Sequence, residues 1–263
     1  MKQNDGIFPF DLSRSELHWL AGAFGIASLP LPEAAPAGLS PSQLEALQKD
    51  GHASLLTRGL IRPSPGFGWQ VERLPAALVQ WIASAPSLLR LEHIPKEGTP
   101  RHVHFFTQGD QGLSLEMDGD TAYFVIYETL SLLHDATLRW LSLPAKSKAT
   151  PSSYTIPQPL TFIPAAWKDL QLAARILGER GVNPKVIKST LAWVSVIHWV
   201  TAFSVAKLEK RGNSVLNQYV ICSDGKLSWG GEGKEINVSF VPMTAKEMSA
   251  KIAEMLNRFG RLA

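Results

Sequence analysis

Cysteine is almost absent from this sequence of 263 residues, because Cys222 stands alone. No disulfide can form within the chain, so nothing points to an oxidising compartment and the expected location is the cytoplasm. The first residues, "MKQNDGIFPFDLS", lack the apolar stretch of a secretory signal peptide. An excess of one charge is lacking too, since there are 26 Lys and Arg against 23 Asp and Glu, and the basic residues are spread along the chain. A net charge of +3 is weak evidence for a nucleic-acid partner.

One segment resembles a membrane-spanning helix in length and charge. Residues 189–206, "STLAWVSVIHWVTAFSVA", have no formally charged residue and approach the length needed to span a bilayer. Valine, tryptophan, serine and threonine dominate this stretch, and it contains His198. That composition favours the end of a helix followed by a long strand with both faces covered, and it predicts no membrane insertion.

The familiar enzymatic motifs are not found either. The sequence contains no G-x-S-x-G, H-E-x-x-H or C-x-x-C pattern. "GGEGKEINVSF" has the Gly-Lys pair of a phosphate loop, but a strand and not a helix is predicted after it. Cys222 ends an apolar strand pattern and is predicted to be an inert core thiol. We therefore expect no enzymatic activity and no cofactor.

Hydrophobic residues make up 45% of the chain, enough for one large domain or two coupled halves. Ser13 with Glu16 and Ser40 with Gln43 form capping boxes that predict two early helices. A small hairpin, a third helix begun by Pro75 and a strand meander follow. The meander comprises predicted strands at residues 88–94, 101–107, 113–117 and 121–126, with Asp118-Gly119 as a two-residue turn. A helix over about 128–141 closes this half.

The second half repeats that order of elements. A linker rich in Pro, Ser and Thr is predicted at residues 142–165, between an N-terminal part (1–141) and a C-terminal part (166–263) of what we expect to be one compact domain. Predicted helices in "AAWKDLQLAARILGERG" and "NPKVIKSTLAW" precede strands at 194–208, 215–222, 226–229 and 236–241. A last helix starts at a Thr244 and Glu247 capping box. The parallel order predicts an internal duplication in an α/β (α+β) fold.

Three histidines in "LEHIPKEGTPRHVHFF" raise the possibility of a metal site. His102 and His104 share one face of a predicted strand, because alternate residues of a strand point the same way. If the apolar faces of both strands meet one core, His93 lies on the opposite face, so three ligands do not converge. The favoured interpretation is a solvated sheet face, and a metalloenzyme using His102 and His104 is kept as an alternative.

A second alternative is a winged-helix protein that binds DNA. Residues 39–72 could form a helix followed by a hairpin wing, and Phe67 and Trp69 in its turn could be exposed. The reading helix would offer only Lys49 and Arg58 as cations, fewer than several phosphate contacts need. We therefore expect no nucleic-acid partner.

Four sequence segments, which follow one another along the chain, resemble segments of the EspG family of type VII (ESX) secretion proteins. They are "LSRSELHWLAGAFGIASLP", "ASLLTRGLI", "SLLRLEHI" and "SDGKLSWGGEGKEINVSFVPMTAKEMSAKIAEML". The resemblance implies a quasi-two-fold protein with a central, largely antiparallel sheet flanked by helical bundles. It also implies a cytosolic, non-enzymatic chaperone that shields the apolar tip of a helical secreted protein or heterodimer, PE/PPE-like or WXG-like.

The resemblance further implies where the partner binds. In the family, a loop between two early sheet strands contacts the partner together with the C-terminal helical bundle. By order of elements that loop is "IPKEGTP" here, shorter than most members carry. The predicted partner-binding residues are Ile94, Pro95, Lys96, Glu97, Gly98 and Thr99, with Ile94 and Pro95 as the apolar centre and Lys96 and Glu97 as the polar rim.

Overall fold

The computed structural model describes residues 7–26, 29–30, 38–66, 68–141, 152–209, 212–234 and 237–260. The strands are β1 (Ile7–Ser13), β2 (Ile61–Ser64), β3 (Gly68–Val71), β4 (Ser87–Pro95), β5 (Arg101–Gln108), β6 (Gln111–Asp118), β7 (Thr121–Tyr127), β8 (Tyr154–Pro157), β9 (Trp199–Glu209), β10 (Gly212–Ser223), β11 (Ser228–Lys234) and β12 (Asn237–Met243). The helices are α1 (Arg14–Ala23), α2 (Pro41–Thr57), α3 (Arg73–Ser84), α4 (Leu130–Leu141), α5 (Pro159–Lys168), α6 (Leu170–Glu179), α7 (Pro184–Val196) and α8 (Ala245–Gly260).

A ten-stranded antiparallel sheet joins both halves of the chain, in the order β1-β7-β6-β5-β4-β9-β10-β11-β12-β8. Each half builds a four-stranded meander and adds one earlier strand, β1 or β8, at its outer edge. The halves meet where β4 pairs with β9. The predicted fold class and duplicated strand order are confirmed, and β2 with β3 forms the small separate hairpin.

Two backbone hydrogen bonds show how closely the halves correspond. The Lys96 amide at the end of β4 donates to the His198 carbonyl, and the Leu208 amide near the end of β9 donates to the Pro86 carbonyl. His198 and Leu208 each stand 112 residues after their counterparts Pro86 and Lys96. The end of each central strand is therefore tied to the chain that leads into the other central strand.

One face of the sheet packs against α4 and α8. Leu89 and Leu91 of β4 and Phe203 of β9 contribute to a single core with Met255 and Phe259 of α8. The apolar side of α8 is buried, and the predicted Thr244–Glu247 capping box that begins this helix is present. Since this core contains residues from both halves, it joins them into one hydrophobic unit.

The other face is covered by two separate helical layers. Helices α1 to α3, the N-terminal helical layer, pack on Leu88 of β4, whereas Ile94 of the same strand packs beneath α5 to α7, the C-terminal helical layer. Both residues are an odd number of positions from Leu89 and Leu91, so they point to the opposite face. The strands β4, β5 and β9 thus form the floor between two helical layers.

Gly51 lies inside α2 and does not interrupt it. A side chain at this position would meet the Ser15 carbonyl oxygen at 2.1 Å, measured from an ideal Cβ. The glycine therefore permits α1 and α2 to approach each other closely, and tertiary packing explains a residue that local helix propensity disfavours.

The predicted helix around residues 165–181 is in fact two helices, α5 and α6, which break at Asp169. This residue has extended backbone angles, and its carboxylate accepts hydrogen bonds from the amides of Gln171 and Leu172. Asp169 is thus an N-cap, which competes locally with helix continuation.

The predicted linker is shorter than expected, because β8 and the start of α5 occupy part of residues 142–165. Residues 142–151 of the predicted linker lie outside the described residues.

The uncharged stretch at residues 189–206 is the end of α7 followed by β9, as its composition predicts. The strand begins at Trp199 and not near residue 194, because α7 continues to Val196. Within the described residues, no helix is long and apolar enough to cross a membrane.

At the β6–β7 hairpin the two-residue turn is Gly119-Asp120, one position later than predicted, and Gly119 has a positive φ of 58°.

Candidate functional site

The predicted partner-binding loop lies at the tip of the β4–β5 hairpin. Ile94 and Pro95 are the last two residues of β4 and are half-buried, and Ile94 packs against the core of the C-terminal helical layer. Lys96, Glu97, Gly98 and Thr99 are exposed. The tip therefore presents mainly polar side chains, and Ile94 contributes to the core more than to an outward apolar centre.

The tip is attached to the end of α7. The Lys96 amide donates to the His198 carbonyl, and the Lys96 ammonium Nζ donates to the Ser195 carbonyl, both at 2.7 Å. Gly98 has a φ of 105°, which a residue with a side chain rarely adopts. These contacts place the β4–β5 tip and the C-terminal helical layer in one continuous surface.

The apolar part of that surface comes from α7. Val196, next to Ser195, exposes 49% of its surface, and Val186 at the other end of the helix exposes 50%. Most aliphatic side chains of this size are buried in the protein. An exposed valine beside a fixed polar tip is what a small protein-binding surface requires.

Aromatic side chains support the base of the tip on the opposite face. The His93 ring packs edge-on against Trp140, with centroids 5.1 Å apart, and tilts against Trp199 at 5.6 Å. The Arg101 guanidinium lies 4.8 Å from the centre of the Trp140 ring and donates to Glu116 at 2.6 Å. Burial, with a smaller contribution from the Arg101 charge, lowers the pKa of His93 to about 4. His93 is therefore neutral at physiological pH and acts as part of the packing.

The histidine pair lies on the floor between the helical layers, opposite to His93 as predicted. Glu92 pairs with His102 and Arg90 with His104 across β4 and β5, so all four side chains share one face. An Arg90 guanidinium nitrogen lies 3.2 Å from Nδ1 of His102 and 3.7 Å from a Glu92 oxygen.

The prediction of a solvated face is wrong for His104, because this side chain is fully buried. His104 pairs with Leu115 of β6, and the next residue on its face is Phe106, both in the core of the N-terminal helical layer. Across the part of the chain that the structure describes, no group of three His, Cys, Asp or Glu side chains is placed to hold a metal ion.

The thiol of Cys222 is fully buried, and burial raises its pKa, as an inert core thiol requires.

The cations of the winged-helix alternative are both bound to carboxylates. The Lys49 ammonium lies 2.7 Å from Glu45, and the Arg58 guanidinium lies 2.7 Å from the fully buried Glu16. A phosphate contact by Arg58 would have to break that buried pair. The hairpin β2–β3 follows α2 as a wing would, and Trp69 on it is 40% exposed with its ring against His52, while Phe67 lies outside the described residues.

Sequence reasoning missed the outer face of α7. Lys185, Lys188, Ala192 and Val196 are exposed and follow helical spacing along one side of the helix. The sequence signal for this face is the pair Lys185 and Lys188, at the start of a predicted helix that contains no acidic residue. It was overlooked because the apolar side of the same segment dominated its interpretation.

These observations define a class of protein fold: a pseudo-two-fold antiparallel sheet, with paired helical layers on one face and the helices α4 and α8 on the other. A solved structure with a similar fold is that of the Mycobacterium tuberculosis type VII secretion system chaperone EspG5 in complex with the PE25–PPE41 dimer. The TM-score is 0.58, the alignment covers 94% of this chain and 95% of EspG5, and 11% of the residues are identical. The expected likeness to this fold is therefore confirmed.

No protein-family model matches the sequence, and no curated protein is significantly similar to it.

Proposed function

We propose that this chain is a non-enzymatic, cytoplasmic binding protein that holds the apolar tip of a helical type VII secretion substrate, PE/PPE-like or WXG-like. The support is a fold shared over nearly the whole chain with a secretion chaperone whose structure contains a PE–PPE dimer. A fold can host several functions, so the proposal depends on the surface as well.

The observation that carries the proposal is the joining of the β4–β5 tip to α7. The tip is held by two hydrogen bonds to the chain at the end of α7, beside the exposed Val196. A surface ordered in advance loses less conformational entropy when a partner binds. Val196 provides apolar area, and Lys96, Glu97 and Thr99 provide a polar rim around it.

The direct test is co-expression with helical heterodimers of the PE/PPE and WXG kinds from the same genome. We expect a stable complex with one copy of each chain in size-exclusion chromatography with light scattering. If none of these partners co-elutes with the chain at micromolar concentration, the proposed function is wrong.

A matched pair of bulky substitutions locates the contact. Thr99→Trp places an indole in the β4–β5 tip, and Gln108→Trp places one at the other, equally exposed end of β5. We expect Thr99→Trp to weaken binding by about tenfold or more and Gln108→Trp to leave it unchanged, as measured by calorimetry. Equal effects of the two variants would remove the tip from the interface.

A further inference from the structure

The two helical layers correspond in the fold but differ in charge. Residues 14–84, which contain the N-terminal layer, include five Lys and Arg and five Asp and Glu. Residues 159–196, which form the C-terminal layer, include five Lys and Arg but only two acidic residues, Asp169 and Glu179. The excess of three positive charges in this layer equals the net charge of the whole chain, +3.

The acidic residues of the C-terminal layer are occupied away from α7. Asp169 caps α6, and Glu179 lies 3.9 Å from Arg175 one turn earlier on the same helix. Helix α7 contains no acidic residue, and both of its charged side chains, Lys185 and Lys188, are exposed. Together with Val196 and the ammonium of Lys96, they form a continuous stripe with lysines at both ends and an apolar part between them.

The lysines of this stripe do not stabilise the helix that bears them. Lys185 and Lys188 stand in the first two turns of α7, where the partial positive charge of the helix N-terminus disfavours cations. Helices α1 and α8 also carry a cation in the first turn, Arg14 and Lys246, but each has a glutamate there as well, Glu16 or Glu247, whereas α7 has no acidic residue. A charge that breaks a local stability rule on an exposed surface is typical of a binding site.

We propose that the α7 stripe binds an acidic segment of a helical protein partner, one that carries Asp or Glu beside its apolar tip. The inference rests on the proposed function and adds the charge of the partner's surface. Charge complementarity of this kind raises the association rate and excludes partners of the wrong sign. The exposed Ala192 and Val196 between the lysines favour a protein over nucleic acid, which needs several clustered phosphate contacts.

The experiment compares a double variant, Lys185→Glu with Lys188→Glu, with a matched control, Lys246→Glu. Lys246 is exposed and is the second residue of α8, as Lys185 is of α7, but α8 packs on the other face of the sheet. The probe is the heterodimer recovered by co-expression, titrated at about 50 mM and about 300 mM NaCl, which differ in screening.

We expect the double variant to weaken binding by about tenfold or more at low salt and the control to change it by less than about twofold. Because glutamate suits a helix N-terminus, we also expect the melting temperature of the double variant to stay equal or to rise. Loss of binding without loss of stability separates this role from a structural one. Equal binding by wild type and double variant, at both salt concentrations, overturns the inference and leaves the proposed function standing.

If no heterodimer binds, the proposed function fails and the inference is tested alone. The probes are then two amphipathic helical peptides that share a leucine face and carry either glutamate or lysine on the other. We expect the glutamate peptide to bind more tightly, and the double variant to abolish that preference. No preference, or lysine-dependent binding of duplex DNA or phosphatidylserine vesicles in place of the peptide, overturns the inference.

Discussion

The N-terminal and C-terminal helical layers occupy equivalent positions on the sheet but are held together by different interactions. In the N-terminal layer the buried Glu16 carboxylate accepts hydrogen bonds from Ser54 and from Arg58, both at 2.7 Å. In the C-terminal layer Trp193 stacks on Tyr154 with ring centroids 4.5 Å apart and meets Trp229 edge-on. The first layer pairs its cations with its own carboxylates, one of which is buried, whereas the second is held by aromatic packing and has two exposed lysines on α7.

This difference suggests how a duplicated fold can acquire one binding face. A layer whose cations neutralise its own carboxylates presents little net charge to a partner. A layer that is stable through aromatic burial leaves its lysines available for binding. Substitutions in each layer test the two kinds of stabilisation separately.

The largest expected effect is that of Trp193→Ala. Trp193 exposes 4% of its surface and contacts Phe240 as well as its two aromatic neighbours. We expect the free energy of unfolding, measured by urea denaturation, to fall by about 4 kcal/mol. Trp69→Ala, which removes an indole that is 40% exposed, serves as the control and is expected to cost under about 1.5 kcal/mol. Similar losses for both variants would contradict the role of aromatic packing.

A somewhat smaller effect is expected for Arg58→Ala in the N-terminal layer. The variant leaves the fully buried Glu16 without its guanidinium partner, which we expect to lower the free energy of unfolding by about 3 kcal/mol. Lys49→Ala removes an exposed partner of Glu45 and is expected to change it by less than about 0.5 kcal/mol. Adding Glu16→Gln to Arg58→Ala should recover part of the loss. An Arg58 variant as stable as the Lys49 variant would show that the buried pair does not hold this layer.

The smallest effect concerns His93, at the base of the tip on the face opposite to the helical layers. Its pKa is about 4 in the folded protein against 6.5 for an unperturbed histidine, so the unfolded chain binds more protons between these values. The stability that neutral His93 provides is complete above pH 6.5 and is lost as the pH falls towards 4. After discounting for its partial exposure, we expect a loss of about 1 to 2 kcal/mol.

His93→Gln removes the titrating group and should flatten this part of the stability profile, measured by urea denaturation at a series of pH values. The wild-type protein, unfolded over the same series of pH values, is the reference. An unaltered slope in the His93 variant would mean that another group titrates in this range.

Much of the architecture could be predicted from the sequence because its signals are local. Capping boxes at Ser13, Ser40 and Thr244 identify the helix starts, and the alternating strands identify each meander. The repeated order of elements then predicts the duplicated sheet. The break at Asp169 was missed because its effect depends on the side chain turning back to cap the next helix.

The surface was harder to predict than the fold. The burial of His104 depends on its neighbours in β6 and on the helical layer above it, which a single strand pattern does not contain. The attachment of Lys96 to Ser195 joins residues 99 positions apart in the chain. The proposed site residues at the β4–β5 tip remain a prediction, and the α7 stripe is continuous with the tip only through that long-range attachment.

Amide hydrogen exchange with and without the helical heterodimer tests the central claim most directly. If the β4–β5 tip and α7 form the binding surface, we expect new protection there and none in α2 or the β2–β3 hairpin of the N-terminal layer. Protection confined to the N-terminal layer, or unchanged exchange throughout a complex that does form, would contradict it.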